Sequence, residues 1–403
     1  MKHDKEGVTD SMEDHYVIRG QKKMRSGYTT GTCAAAAVKA ALLSSLTDRE
    51  QIQVSVALPK GGRAELPVHM ISRNEYYVVK DAGDDPDVTN HCQVCGKAEW
   101  IDAKEIPAHA FSDEGNPRMY LTGGDGVGVV TKSGLSQEVG QAAINRVPRE
   151  MIFSEACAVL EEVGEEEGIG KKEEVLLLTV SVPGGGEIAK RTFNPGLGIE
   201  GGISILGTSG IVDPMSEKAL VDTIEVEIRQ TIALGHKELL FVPGNYGERY
   251  VREDLGLKKA SMIQCSNYIG EAMDLSCALN AKSVLFVGNF GKLVKVAAGI
   301  MNTYSRAADA RWEIVVSHAA LAGAPLTVLQ RVRASLTTDQ MLENLGDMRE
   351  KTVESILLEM DRHLKKRAGD MPIGAVVFSE KFGCLGQTSG AGEILKRFRK
   401  ECG

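Results

Sequence analysis

Two segments share one pattern that few folds accommodate. Residues 238–247 (ELLFVPGNYG) and 283–291 (SVLFVGNFG) are each an apolar strand running straight into Gly-Asn-aromatic-Gly. A third apolar run, 373–379, ends close to Phe382 and Gly383. Strands without polar alternation are buried on both faces, and when helical stretches separate them the sheet is parallel. Ligands of such sheets bind beyond the carboxyl ends of the strands, so the three turns are expected along one edge, their aromatics shared around a pocket. Residues 216–403 are therefore expected to be an α/β C-terminal domain with a small parallel sheet, opened by a serine-capped amphipathic helix over 216–235. The charged segment 338–367 is read as a solvent-facing helical cover.

The rest of the chain has another grammar. With 403 residues it is too long for one ordinary core, and net charge −8 with pI about 5.6 argues against a general affinity for nucleic acid or anionic membrane. No apolar run approaches the ~20 residues of a membrane span and the N-terminus has no signal-peptide core, so a cytoplasmic protein is expected. Residues 1–20 alternate charges without an apolar period and read as a flexible tail. Residues 21–215 read as an α+β N-terminal domain with a mixed sheet: short β patterns at 51–58, 64–71 and 76–80, a helix from 150 to 163, a charged hinge at 165–172 and a strand at 174–182.

Glycine-rich loops dominate that half. Residues 192–216 hold six glycines and two prolines in 25 positions, suited to ligand-lining backbone or to tight turns linking strands. Gly196-x-Gly198-x-x-Gly201 matches the dinucleotide fingerprint, but Asn194 and Pro195 ahead of it favour a turn and no helix opens inside it. Residues 121–134 repeat the theme with Lys132, and Arg146 and Arg149 follow just before a helix; carboxylate binding and ion pairs with nearby Glu are both open for these cations. Thr30 or Thr32 is a natural N-cap for the alanine-rich helix after residue 33, whose N-terminus could receive an anion or simply be a capped core helix. Asp81, Asp84, Asp85 and Asp87 fall within seven positions, a solvated turn or a set of carboxylates for a cationic ligand. His91, Cys92 and Cys95 carry half of a zinc or redox motif with no second half, so exposed or half-buried loop thiols and no metal site are expected.

The motifs at 27–37 (GYTTGTCAAAA), 80–89 (KDAGDDPDVT), 123–132 (GGDGVGVVTK), 193–216, 291–295 (GKLVK) and 302–311 (NTYSRAADAR) follow one another in an order that resembles the cobalt-precorrin-5B C-1 methyltransferase family, CbiD, of anaerobic cobalamin biosynthesis. The chain departs from the family pattern at Asn289, Phe290 and Tyr304, where relatives tend to carry His, so no role for imidazole carries over. The resemblance implies an S-adenosylmethionine-dependent C-methyltransferase that converts cobalt-precorrin-5B to cobalt-precorrin-6A. S-adenosylmethionine would be the co-substrate, cobalt would enter only within the substrate, and the partner would be a small corrin precursor, with a homo-oligomer left open. Thr29, Thr30, Thr32, Lys132, Arg146, Arg149, Asn194, Gly201, Gly202, Thr208 and Ser209 would meet the macrocycle. Gly244, Asn245, Gly247, Gly288, Asn289, Gly291 and Lys292 would hold the methyl donor, and Asp84, Asp85 or Asp87 would be catalytic candidates. Two other classes remain: an NAD-dependent oxidoreductase built on Gly196–Gly201, and a non-catalytic tetrapyrrole-binding protein.

Overall fold

The computed structural model describes residues 16–19, 21–163 and 173–402; the hinge expected at 165–172 and most of the expected tail lie outside them. The chain divides into two compact units, Met1–Ser216 and Glu217–Gly403. In the first, strands β1 (Tyr16–Arg19), β2 (Lys22–Arg25) and β3 (Gly27–Tyr28) lead into α1 (Thr30–Thr47). Then come β4 (Gln53–Ala57), β5 (Arg63–Pro67), β6 (His69–Ser72), β7 (Glu75–Val79), β8 (Gln93–Asp102), β9 (Phe111–Ser112), β10 (Met119–Gly123) and β11 (Val129–Val130). The unit closes with α2 (Arg146–Val163), β12 (Glu174–Ser181), α3 (Gly185–Ala189), β13 (Ile199–Glu200) and β14 (Ile211–Val212).

Its main sheet runs β6-β7-β8-β12-β10-β9, antiparallel except for the parallel pair β10–β12, while β4 and β5 form a separate hairpin. Tyr16–Arg19 are not tail, because they pair with Lys22–Arg25. Helix α1 is almost wholly buried, and its alanines let neighbours approach the backbone. A Cβ on Gly96 of β8 would lie 2.4 Å from the amide nitrogen of Val38. The one charge inside this helix, Lys39, bonds Glu155 of α2 at 2.7 Å and the carbonyl of Ser55 at 2.9 Å. The other Glu155 oxygen accepts the Ala57 amide, so a single buried pair joins α1, α2 and β4.

The second unit contains α4 (Glu217–Ala233), β15 (Glu238–Val242), α5 (Asn245–Glu253), β16 (Ile263–Gln264), α6 (Ile269–Ala278), β17 (Ser283–Asn289) and α7 (Phe290–Leu293). After them come α8 (Arg311–Leu321), α9 (Leu326–Arg333), α10 (Thr338–Asn344), α11 (Arg349–Ala368), β18 (Ile373–Ser379), β19 (Gly383–Gln387) and α12 (Ala391–Cys402). The sheet order is β16-β15-β17-β18-β19. The first four strands are parallel. β19 is antiparallel, so the third apolar strand ends in a hairpin and the sheet is not wholly parallel. Alternate residues of the strands face two cores. Leu240, Val242, Leu285 and Val287 meet α5 and α12, whereas Leu239, Phe241, Val284 and Phe286 meet the other helices. Helix α11 buries Val353, Ile356, Met360 and Leu364 in that second core, so 338–367 is part of the packed layer and not a solvent-facing cover.

Candidate functional site

The strand order fixes where the second unit can hold a ligand. From β15 the chain passes through α5 to β16 on one flank, then through α6 to β17 on the other. The connections after β15 and β17 therefore depart to opposite faces and leave a crevice at the carboxyl ends of these two strands. Both Gly-Asn-aromatic-Gly turns stand there. Gly244 has φ 119° and ψ 167°, a region open essentially to glycine alone. Gly247 and Gly288 are packed tightly: a Cβ would stand 2.8 Å from the Val287 carbonyl oxygen and from the Pro243 ring, respectively. The Asn289 side chain caps α7 by accepting the Gly291 amide at 2.8 Å. Lys292 is half-buried, its Nζ donating to the Ser266 carbonyl at 3.2 Å, and burial lowers its pKa. The turns do not share their aromatics, since Phe290 is buried in the core and Tyr246 is exposed.

Helix α7, which follows the second turn, is short. It gives way to a 3-10 turn over Val294–Ala298, ended by Gly299 at φ 75°. The buried Lys295 ammonium donates to the carbonyls of Thr303 and Ala308 and to Ser305 Oγ, all at 2.9 Å. It thereby holds the 302–311 loop in place, and Arg311 pairs with Asp309.

Sequence reading missed Glu227 and the segment after β16. Glu227 of α4 faces the Gln264 backbone, and burial pushes its carboxyl up to about 7 against the pull of that amide. Cys265, buried and pushed up to about 12, feels the charges of both Lys292 and Glu227. Ser266 has φ 49°, left-handed backbone for a residue with a side chain. No motif in the sequence links Glu227 to residue 264; only the position of β16 does.

In the first unit the hydroxyl-rich turn is fastened to the central loop by hydrogen bonds. Thr29 is the N-cap, ahead of the expected Thr30 or Thr32, and its Oγ1 accepts the Thr32 amide. Thr30 Oγ1 donates to the Leu206 carbonyl and accepts its amide, and Thr32 Oγ1 donates to the Gly210 carbonyl. The Gly31 amide donates to Leu206 as well, so the central loop closes the helix N-terminus that was considered for an anion. Asn194 is buried and ties the loop together, donating to the Gly202 carbonyl and accepting from Ser204 Oγ. Ser209 bonds the backbone of Ile211. Gly202 lies against Gly126, whereas Gly201 at φ 81° has open space where a Cβ would stand, and Thr208 is exposed. The element before Gly196 is the short helix α3 and the one after it is β13, which removes the strand–turn–helix context of a dinucleotide fingerprint.

Of the aspartates in the run only Asp84 is exposed, and all four carboxylates are tied into the fold. Asp81 forks with Arg25 at 2.7 and 2.8 Å, which holds its pKa down. Asp84 accepts the Arg25 amide and Asp85 the Met215 amide. Asp87 meets the fully buried Lys80 at 2.6 Å and the amide and hydroxyl of Thr89. Burial raises the Asp87 pKa, but the Lys80 charge and these hydrogen bonds outweigh it and the net direction is down. The motifs at 27–37 and 80–89 meet at a cavity of ≈ 210 Å³ bordered by Tyr28, Cys33, Leu66, Val78 and Asp81.

Among the cations, Arg146 and Arg149 sit in the first turn of α2 and not ahead of it. Arg146 is exposed and pairs with Glu150 at 2.7 Å. Arg149 is half-buried over the Phe111 ring, 4.2 Å from its centroid, and its buried Nε has no hydrogen-bond partner among the described residues. Lys132 is exposed, its methylene stem against Gly198. Cys92 and Cys95 are buried and not loop thiols at the surface, and burial pushes each up to about 11. Among the described residues no group of three or more His, Cys, Asp or Glu is placed to hold a metal ion.

These features define a protein with a mixed α+β unit and a doubly wound α/β unit whose strand order reverses direction between β15 and β17. Residues 17–214 match the family described as CbiD, and residues 302–389 its C-terminal domain. The cobalt-precorrin-5B C(1)-methyltransferase of Alkaliphilus metalliredigens (strain QYMF) is 41% identical, the match covering 96% of this chain and 98% of that one. The protein of that name from Ruminiclostridium cellulolyticum is 43% identical over 96% and 99% of the two chains. A crystal structure of the cobalamin biosynthesis protein cbiD from Archaeoglobus fulgidus shares 26% identity over 73% of this chain and 87% of that one, with TM-score 0.39. The chain belongs to the CbiD family.

Proposed function

We propose that this protein is the S-adenosylmethionine-dependent methyltransferase acting on ring carbon C-1 of cobalt-precorrin-5B to give cobalt-precorrin-6A in anaerobic cobalamin biosynthesis. The observation that carries the reading is near full-length similarity to relatives named for this reaction, 41% over 96% of the chain. The change of strand direction between β15 and β17 supports a second, nucleoside-like ligand, as an enzyme would need and a tetrapyrrole carrier would not. No helix among the described residues is long and apolar enough to cross a membrane, and a cytoplasmic location fits the reading.

The residues of the second unit fit the methyl donor. Gly244 lets backbone approach the ligand, Gly247 lets its turn pack on β17, Gly288 and Asn289 set the turn after β17 with the Gly291 amide donating to Asn289, and Lys292 brings a cation for a carboxylate. Asn245 belongs to the same turn. When bound, the sulfonium supplies an electrophilic methyl group, which the ring carbon takes as the departing thioether keeps the S–C electron pair. For such a transfer, alignment matters more than acid–base machinery, and proximity contributes roughly 7–11 kcal/mol in favourable cases. Of the three cations expected to meet the macrocycle, Arg149 and Lys132 form no ion pair with a carboxylate among the described residues and suit its acetate and propionate groups, and Gly201 and Thr208 are exposed and open to it as well. Arg146 can join only by leaving Glu150. Thr29, Thr30, Thr32, Asn194, Gly202 and Ser209 act through the loop they hold, and Asp84, Asp85 and Asp87 act as struts.

Incubation with cobalt-precorrin-5B and methyl-labelled S-adenosylmethionine tests the reading. Label in the ring at C-1 is expected. Macrocycle binding without label would leave a carrier, and binding of NAD but not of S-adenosylhomocysteine would favour the oxidoreductase.

A further inference from the structure

The end of β11 carries an apolar surface with one cation in it. β11 pairs with β13 so that Val130 stands opposite Ile199, and Thr131 then donates its amide to the Gly198 carbonyl at 2.8 Å. Lys132 follows and lays its methylene stem on Gly198. On the other side of β11 the Gly140 amide donates to the Val130 carbonyl at 2.8 Å, which brings Val139 to the level of Thr131 and Lys132. Gly198 closes a turn that opens at Phe193, whose carbonyl accepts the Leu197 amide at 3.1 Å. Phe193 and Lys132 therefore border one turn, with Val139 across the strand from it.

The fold fastens this turn from inside and leaves its apolar side chains in water. Asn194 is buried, donates to the Gly202 carbonyl at 3.0 Å and accepts from Ser204 Oγ at 3.2 Å, and its own carbonyl accepts the Ile199 amide. The small core beneath, Val130, Ala143 and Ile199, takes Leu135 and Leu197 but not Phe193. Phe193 is 58% exposed and Val139 52%. Adjoining exposed apolar side chains with polar groups at their rim mark ligand-binding surface, and a turn already held in place loses little freedom when a ligand settles on it. Glu200, opposite Val129, accepts from Thr131 Oγ1 at 3.3 Å, and no carboxylate forms an ion pair with Lys132 among the described residues. The complementary ligand is flat and apolar over one face, for the aromatic ring, and anionic at its edge, for the ammonium.

We propose that Phe193 is the platform on which the ring of the tetrapyrrole substrate lies, with Val139 extending the apolar surface and Lys132 taking a carboxylate arm. This rests on the reading of the protein as a cobalt-precorrin methyltransferase, and adds to it the residues that meet the ring itself as distinct from its carboxylates.

The test is binding of cobalt-precorrin-5B to the full chain, followed by its visible absorbance at low and high salt, with methyl transfer measured in parallel. Phe193→Ser is expected to weaken binding roughly 10-fold at both salt concentrations, because the lost contact is apolar, and to raise KM with kcat unchanged. Phe193→Tyr keeps the ring and should bind like wild type. Lys132→Met keeps the stem and loses the charge, so its deficit should be large at low salt and shrink at high salt. Phe193 is exposed, and Phe193→Ser should melt like wild type. Wild-type affinity in Phe193→Ser, or a loss in Phe193→Tyr as large as that in Phe193→Ser, would overturn the platform, while methyl transfer by the wild-type protein would leave the reading of the enzyme standing. A wild-type protein that neither binds nor methylates cobalt-precorrin-5B would overturn that reading and the platform with it.

Discussion

Replacing Asp87 by Asn separates a strut from a catalytic acid. Lys80 has 1% of its side chain exposed and Asp87 24%, with 2.6 Å between Nζ and Oδ2. Asparagine keeps the shape and can still accept from Thr89, but it leaves the Lys80 ammonium buried without a counter-charge. Breaking a buried pair from one side destabilises by about 3–5 kcal/mol, and partial exposure of Asp87 places this case near the lower end. For a unit of this size, ~3 kcal/mol corresponds to a melting-temperature drop of roughly 6–12 °C in differential scanning calorimetry. The sign with pH follows from the depressed folded pKa of Asp87. Its contribution is present above the ordinary carboxylate value and disappears as pH falls through the folded value, so the wild-type advantage should shrink below about pH 4. The double variant Lys80→Met with Asp87→Leu should recover much of the loss. An Asp87→Asn protein that melts like wild type but has lost methyl transfer would refute this reasoning and restore Asp87 as a catalytic candidate.

Two further variants test other buried charges. Glu155→Gln strands the Lys39 ammonium between α1, α2 and β4, and chemical denaturation should register a loss of about 3–5 kcal/mol in the first unit; a loss under about 1 kcal/mol would mean the helix interface does not depend on this pair. Glu227 titrates near 7 in the folded protein against an ordinary value of 4.5, so its stabilising contribution is complete below 4.5 and is lost as pH rises through about 7. Glu227→Gln should therefore be more stable than ligand-free wild type at pH 8, by roughly 1–3 kcal/mol after allowance for partial exposure, and equal melting curves at pH 8 would count against the shift.

The second unit was the more legible of the two, because buried strands leave continuous apolar runs and the two Gly-Asn-aromatic-Gly turns recur at their ends. What the repeat could not convey was order: only the placement of β16 outside β15 creates a switch point. Helix burial was also hidden, since α11 is charged on one face and its buried face is seen only once the sheet is beneath it. In the first unit the motifs were visible but their partners were not. Thr30 and Leu206 are 176 positions apart in sequence, and Asp85 reaches across 130 to Met215. Residue types suited to ligands, hydroxyls and carboxylates among glycines, are equally suited to fastening loops. Arg149 and Arg146 look alike in sequence, yet one rests on the Phe111 ring and the other is paired with Glu150 at the surface.

The placement of the methyl donor is the central claim, and amide hydrogen exchange with and without S-adenosylhomocysteine tests it most directly. Protection is predicted in 243–248, 264–268 and 288–293, the turns and the segment that meet at the β15–β17 edge. Protection confined to 123–132 and 192–210, with those three stretches unchanged, would contradict it and assign the methyl donor to the glycine-rich loops of the first unit.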